Sequence, residues 1–520
     1  MTAHTRYDIV AYPSKAYAHA HPDRLHAMGR IFGMNPASVA SARILELGCG
    51  AGGHLLPMAC HLPEATFVGM DASHIAIAQA QEHAKALGLT NITFQHADLN
   101  TWTSDASYDY IVCHGVYSWV PDEARAHILN HCRRLLSPEG IAYISYNALP
   151  GWHLHKVGRE ILRWHGEQFR DPAEQVEQGK ALLGFFAEHL KDNPAGYAQV
   201  MQHQAAMMRG FSDAYVFHDF LSPENTPFRL VDVVQQAENH ELQYLGDAEL
   251  GQMLPEGLPD ALHATLDRIA PDLVRLEQYL DLLRGTSFRR SLFCHADRTL
   301  TRALTTESLS GLRLECGGQS CDEQVDLAQP TPRAFATGDG TELTVQDGGA
   351  QAALLYLISC YPMSAPTDLI MSTAQQWLGD TPLHRQRVGG ALIRAHAAGL
   401  VDLVGRARVT LDRVPERPRV STWVRYAVDQ GAEQAANLRH EVVPLDRFER
   451  VLVRHCDGSR TLEQLIERVE AAVLSGELEL TVDGTATSEP EIIRSGVAAL
   501  VPRKLERLRR RAILVDASRN

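Results

Sequence analysis

Residues 45–53 read LELGCGAGG. The stretch RILELG (43–48) is a short apolar run of strand type ending in glycine, and HLLPMACHL (54–62) follows with helical character. The glycines therefore stand in a strand-to-helix turn. Glycine lets a backbone turn sharply there and approach a ligand closely. A turn of this kind constrains the fold strongly, because it belongs at the edge of a sheet whose strands alternate with helices. The neighbouring sequence supplies that alternation. TFVGMD (66–71), NITFQHAD (91–98), YDYIVCHG (108–115) and IAYISYN (141–147) read as further strands. SHIAIAQAQEHAKALG (73–88), with Ser73 as N-cap and Gly88 as C-cap, and DEARAHILNHCRRLLSPEG (122–140), stopped by Pro138 and Gly140, read as helices between them. The rhythm predicts an α/β fold with a parallel sheet covered on both faces.

Beyond this unit, residues 155–240 lack strong β runs and carry apolar positions at helical spacing, as in ALLGFFAEHL (181–190). Two β-type runs then return, LQYLGDAE (242–249) and SFRRSLFCHA (287–296), with a helical stretch around 260–284. They are read as the last two strands of the same sheet, entered after a helical insertion; the alternative makes 155–298 a separate α-rich domain. From about 299 the character changes. Segments 348–362, 367–379 and 385–404 give three helices and a short β-type run, the order of a winged helix. A similar pattern starts at 444–473. The expected division is 1–298, 299–415 and 416–520.

A length of 520 residues fits two or three domains. The charge, 49 − 63 = −14, argues against general nucleic-acid binding, which needs basic clusters on phosphate. The start, MTAHTRYDIVAYPSK, lacks a signal-peptide pattern, and no run reaches the roughly 18 apolar residues of a membrane span. The nine cysteines are scattered, as in a reducing compartment, so a cytoplasmic location without a membrane anchor is expected. Cys316 and Cys321 are spaced C-x4-C but lack a second ligand pair, and no metal is expected.

Four motifs share the first unit. Glu46, Gly48, Gly50 and Gly52 form E-x-G-x-G-x-G. Gly48, Gly50 and Gly53 would also fit the dinucleotide fingerprint, so glycine count alone does not choose between ligands. The acid does help: a pyrophosphate gains nothing from a carboxylate beside the turn, whereas a cationic, amino-acid-bearing ligand does. Asp71, ending the second strand, suits ribose hydroxyls. Asp98, read as the end of the third strand, suits an adenine amino group. HGVYSWVP (114–121) follows the fourth strand, where the chain passes the reactive end of a ligand.

With LELGCGAGG, VGMD, HADLN and YDYIVCHGVYSWV in this order, the chain resembles class I AdoMet-dependent methyltransferases. YPSKAYAHAHPDRL (12–25), HGVYSWVP, ISYNALPGWHLHK (144–156) and YVFHDFLSPENTPFRLVDVV (215–234) are similar to a bacterial group carrying a methyltransferase regulatory domain, which includes rickettsial protein-lysine methyltransferases. The resemblance spans nearly the whole chain and is weakest beyond 300. It implies a Rossmann-like sheet with a helical insert, a winged-helix-like α+β C-terminal part, and S-adenosyl-L-methionine as cofactor. It implies a cofactor site of Glu46, Gly48, Cys49, Gly50, Gly52, Asp71, Ala72, Asp98, Leu99 and His114.

Methyl transfer from a sulfonium is an in-line displacement, so positioning supplies much of the acceleration. A lysine acceptor must also lose a proton, which an apolar, aromatic slot favours. Aromatic rings also attract the cationic product. Tyr117 and Trp119 would wall such a slot, Gly115 would leave room for the methyl, and Pro121 would open the next helix at its first position. Tyr12, Ser14, His21, Tyr146 and Trp152 are further candidates, with the N-terminal stretch folding over the site. His114 would serve as proton acceptor or as a cofactor-side hydrogen bond. His153, His155 and His218 read as structural. The expected acceptor is a protein lysine, reached by a groove with acidic walls. Two rivals are a small metabolite, which wants a closed pocket, and a DNA-binding regulator using RKLERLRRR (503–511).

Overall fold

A computed structural model describes residues 6–321, 327, 331–338, 340–482, 485–486 and 489–516. Its largest element is a seven-stranded sheet: β1 (Arg43–Leu47), β2 (Thr66–Asp71), β3 (Ile92–His96), β4 (Tyr108–Cys113), β5 (Leu136–Asn147), β6 (Leu242–Asp247) and β7 (Phe288–His295), in the order 3-2-1-4-5-7-6. β1 to β5 are parallel, and β7 runs antiparallel to both its neighbours. In β1 every residue after Arg43 is buried, as a central strand covered on both faces requires. Chain order reverses direction at β1, with β2 on one side and β4 on the other. The crevice outside the carboxyl ends of these strands is where open α/β sheets bind ligands.

Two boundaries differ from expectation. The helix read over 122–140 is Asp122–Leu135, and β5 begins at once at Leu136. Leu136 pairs with Tyr108, then Ile141 with Tyr110, so Ser137–Gly140 form a bulge in the strand. A Cβ on Gly140 would lie 2.8 Å from Leu136 Cδ2; the bulge, not a helix stop, is what needs that glycine. Pro121 sits at the N-cap position, one residue before the helix it was expected to open.

Between β5 and β6 the chain makes five helices, Trp152–Gly166, Pro172–His189, Gly196–Gly210, Asp213–Leu221 and Leu230–Glu238. Four of them share a core of Leu162, Val176, Leu183, Met201, Phe217 and Phe220. The chain then returns to the sheet. β7 pairs with β5 from Ala142↔Phe293 to Asn147↔Phe288, which removes the reading of 155–298 as a separate domain. Arg289 of β7 is wholly buried there. Its guanidinium meets Glu277 (2.6 Å), Asp281 (2.9 Å) and Asp247 (3.4 Å).

Helices Gly348–Cys360, Thr367–Leu378 and Arg385–Ala397 pack with a three-stranded antiparallel sheet of 313–315, 365–366 and 402–404. A second module carries helices Thr422–Asp429, Arg447–His455, Leu462–Leu474 and Pro490–Arg510. Its basic run is turned onto its own acids: Lys504 and Arg507 meet Asp446, while Arg507 and Arg511 both meet Glu449. This module rests on the first domain. His83 Nδ1 lies 2.7 Å from the Tyr426 hydroxyl, and His54 Nδ1 lies 2.8 Å from His440 Nε2. Among the described residues no helix is long and apolar enough to cross a membrane.

Candidate functional site

The turn after β1 is built as its composition demands. Gly48 has φ +79°, and a Cβ there would stand 2.4 Å from Val116 Cγ2, so both conformation and space require glycine. Gly50 is different. It also has positive φ (+52°), but a Cβ would meet only Ser14 Oγ, at 3.8 Å. That face of the turn is open apart from the N-terminal segment. Asp71 fixes the turn from the end of β2: the N–H groups of Gly50 and Ser73 both donate to its carboxylate at 2.8 Å.

Glu46 supplies the acid. It is buried, and one carboxylate oxygen has no hydrogen-bond partner among the described residues. Burial, with the charge of Asp71 in second place, pushes its carboxyl well above the usual range. An unpaired buried carboxylate beside an open glycine turn fits a ligand that brings its own positive amine. Cys49 is buried behind the turn, with its thiol pushed up by burial. Ala72 and Asp98 are exposed and Leu99 half-buried. Asp98 lies two residues past the end of β3 rather than within it, and Asn100 donates to its carboxylate from both main chain and side chain.

Residues 12–17 form a strap across the turn. The Gly53 N–H donates to Ser14 Oγ (2.7 Å), and the Tyr17 N–H donates to His54 Nδ1 (3.3 Å). The Tyr17 ring stacks on His114 with centroids 3.6 Å apart. His114 Nδ1 lies 2.9 Å from the Tyr143 hydroxyl, and burial holds the imidazole well below its ordinary pKa. It is therefore neutral near pH 7, a hydrogen-bonding group rather than a charge. Gly115 has open space where a side chain would be, and its N–H donates to Ser145 Oγ.

The remaining aromatic candidates divide into two groups. Tyr117 and Tyr146 are interior residues, at 0% and 1% exposure. Their hydroxyls bond to Gln236 and to Ser291 Oγ, so they pack behind the site instead of walling a slot. Trp119 is half-buried and meets Trp152 edge to face at 6.3 Å. Tyr12 is 37% exposed on the strap, and its hydroxyl donates to Asp219 Oδ2 (3.4 Å). His21 is elsewhere. It accepts from the Asp23 N–H as a helix N-cap and lies 5.1 Å, ring to ring, from His440. His155 packs on Trp152 and His218 on Tyr7, while His153 is exposed.

Three residues near the strap were not legible as site residues: Tyr17, His54 and Asp219. The only sequence signal for Asp219 is an acid beside His218 within the largely apolar YVFHDFL run.

A groove of about 960 Å³ runs between the strap (Pro13–Ala16), Gly53 and the second C-terminal module. Its walls carry Lys15, Arg447, Arg450 and Arg507 against Glu433 and Asp446, so they are not the acidic walls expected. Arg450 is paired with Glu433 and Arg507 with Asp446, because both arginines serve the module's own packing.

Comparison with known proteins bears on the same regions. Family models described as "Methyltransferase domain", "Predicted methyltransferase regulatory domain" and "PKMT, C-terminal winged helix domain" match residues 44–140, 212–295 and 416–513. The uncharacterized protein RP789 of Rickettsia prowazekii is 31% identical over 98% of this chain and 94% of its own. The solved structure of PKMT2 from Rickettsia typhi is 25% identical and superposes with a TM-score of 0.87 over 97% of this chain and 100% of that one. The same protein in complex with AdoHcy, at 24% identity, gives a TM-score of 0.86 over the same shares. The turn, the unpaired Glu46 and these matches agree: the chain is an S-adenosyl-L-methionine-dependent methyltransferase, and it belongs to the family that joins a methyltransferase domain and its regulatory domain to a PKMT winged helix.

Proposed function

We propose that this methyltransferase modifies lysine side chains of a protein substrate. The observation that carries the reading is the groove beside Gly53, bounded on one side by the strap and on the other by the PKMT winged helix. A groove of that size between two modules suits a polypeptide, where a metabolite would want an enclosed pocket. The structural likeness to Rickettsia typhi PKMT2 across the whole chain supports the same reading.

Bound at the turn, AdoMet supplies an electrophilic methyl on a sulfonium. The chain's own residues do the rest. Glu46 takes the amino group of the ligand, Asp71 holds the turn and receives ribose hydroxyls, and Asp98 and Leu99 border the adenine. Cys49 and Ala72 shape the backbone beside them. Neutral His114, stacked on Tyr17, closes the acceptor side without competing for charge. Trp119, Trp152 and Tyr12 line the approach of the side chain, with Tyr117 and Tyr146 packed behind them. We propose the division of labour with it: 1–298 for methyl transfer with a helical insert near 155–240, 299–415 as a winged-helix-like spacer, and 416–520 as the substrate-facing module.

The test is direct. The enzyme is incubated with methyl-labelled AdoMet and an unfolded, lysine-bearing protein, such as reduced and carboxymethylated ribonuclease. The product is then hydrolysed to amino acids. Label in methyl-lysines supports the reading. Label only in low-molecular-weight acceptors of a cell extract would replace it with the metabolite reading.

A further inference from the structure

Asp219 is an anomaly in the regulatory region. It lies on the short helix Asp213–Leu221 and is 8% exposed. A buried carboxylate is normally paired with a cation or saturated with donors. No ion pair reaches this one among the described residues. The nearby Arg159 guanidinium is spent on main-chain oxygens instead, donating to those of Asp219 and Ser222. What does surround the carboxyl is phenolic. Tyr12 donates to it from the strap, and Tyr215 bonds to it from its own helix.

Two further tyrosines connect this acid to the cofactor turn. The Tyr17 hydroxyl feels the charges of both Glu46 and Asp219, and the Tyr7 hydroxyl those of both Asp219 and Asp71. Asp219 therefore acts electrostatically on the same tyrosines as the acids of the turn. Tyr7, Tyr12 and His218 pack together, with centroids 4.6 to 6.3 Å apart. Tyr17 adds its ring against His114. The result is an aromatic cluster around one carboxyl that has no ion pair among the described residues. Electron-rich faces and one negative charge select a cation, and rings accept methylated ammonium as well as the unmethylated form.

We propose that Asp219 receives the substrate amine, pairing with the lysine ammonium and taking its proton before methyl transfer. This rests on the lysine reading above and adds the general base to it. An unperturbed lysine is neutral in roughly one molecule in 2,500 at pH 7, so an acceptor for that proton matters. The carboxylate gains one proton from the ammonium. The freed nitrogen lone pair forms the N–C bond to the methyl carbon, and the C–S electron pair returns to sulfur. Asp219 then releases its proton to solvent. Burial sets the carboxyl at about 7, so it can both accept and release near neutrality. Tyr12 and Tyr215 pull its pKa down, as does the positive charge of Arg159.

The test uses Asp219→Asn and Tyr12→Phe in the full-length protein. Binding of n-butylammonium to the AdoHcy complex is followed by ligand-observed NMR, with n-butanol as the neutral control. Wild type should bind the cation at least tenfold more tightly than Asp219→Asn does, while AdoHcy affinity changes less than threefold. Equal cation binding overturns the proposal. In the ribonuclease assay, kcat of Asp219→Asn should fall about 100-fold or more and lose the limb that rises through pH 7. Tyr12→Phe should keep that limb and move it to higher pH, which a purely structural aspartate would not produce. Lysine transfer by Asp219→Asn with the wild-type pH profile overturns the role of Asp219 and leaves the lysine reading standing. Cation binding that depends on Asp219 without any transfer to ribonuclease lysines supports the cation site and removes the protein acceptor.

Discussion

Replacing Glu46 with glutamine should change two properties in opposite directions. The side chain is 3% exposed, sits next to the open turn, and has one oxygen without a partner. A hydrogen bond to a charged group contributes about 1.5–3 kcal/mol. Glutamine keeps the shape and removes the charge, so AdoHcy should bind roughly 10- to 150-fold more weakly. Methylthioadenosine, which lacks the amino acid, should bind both proteins alike. The free protein should respond differently. Because the Glu46 carboxyl is raised above its unfolded value, its contribution to stability is fully present below about pH 4.3 and is lost as pH rises through the folded value. Glu46→Gln should therefore melt like wild type at pH 5 and higher than wild type at pH 8. Isothermal titration with the two ligands and thermal melts at the two pH values decide the matter. A dissociation constant within threefold of wild type for AdoHcy would refute the assignment. Weaker binding with a lower melting point at both pH values would make Glu46 a packing residue.

Three further outcomes are expected. If Trp119 and the Trp152 it meets edge to face line the acceptor approach as proposed, Trp119→Ala should lower turnover far more than AdoHcy affinity; equal losses in kinetics and titration would place it on the cofactor side. Arg289→Met should cost about 3–5 kcal/mol in urea unfolding, because three buried carboxylates lose their cation, and a cost below 1 kcal/mol would mean that they shed their charge freely. Acid should loosen the joint between the cofactor turn and the C-terminal module. His54 and His61 are pushed down to about 3 and about 4 by burial, and His21 and His440 are also lowered. With folded values below unfolded ones, the stability is present above about pH 6.5 and lost as pH falls, by up to about 2 kcal/mol per histidine at pH 5. His440→Asn, which tolerates the left-handed φ of +63°, should flatten the melting profile between pH 7 and 5.

The fold was legible where local pattern decides structure. The glycine turn and the strands at 43–48, 66–71 and 108–115 follow from spacing alone. The return to the sheet after some ninety residues also follows, because β6 and the LFC stretch of β7 are short β-type runs whose apolar residues need a covered partner. The beginning of β5 was hidden, since SPEG reads as a helix stop and the bulge appears only when Tyr108 is paired. The site was legible as far as its cofactor half. Tyr117 and Tyr146 could not be told from slot residues, because an aromatic after a strand looks the same packed or exposed. The missing half depends on distance along the chain: Tyr12 meets Asp219 across 207 positions and His54 meets His440 across 386. No local spacing encodes such a pair.

The cluster around Arg289 has an electrical consequence for the whole molecule. One guanidinium stands among three carboxylates that cannot reach water, and burial holds Glu277 at about 7 and raises Asp247 and Asp281 as well. At neutral pH the native chain therefore keeps protons that its unfolded form gives up. The formal −14 counts every acid as ionised and overstates the native charge. Glu277, Asp247 and Asp281 therefore take up protons on refolding near neutrality, which opposes the proton release from the buried histidines; Arg289→Met, which removes the cation, should change the net proton exchange on refolding in weak buffer.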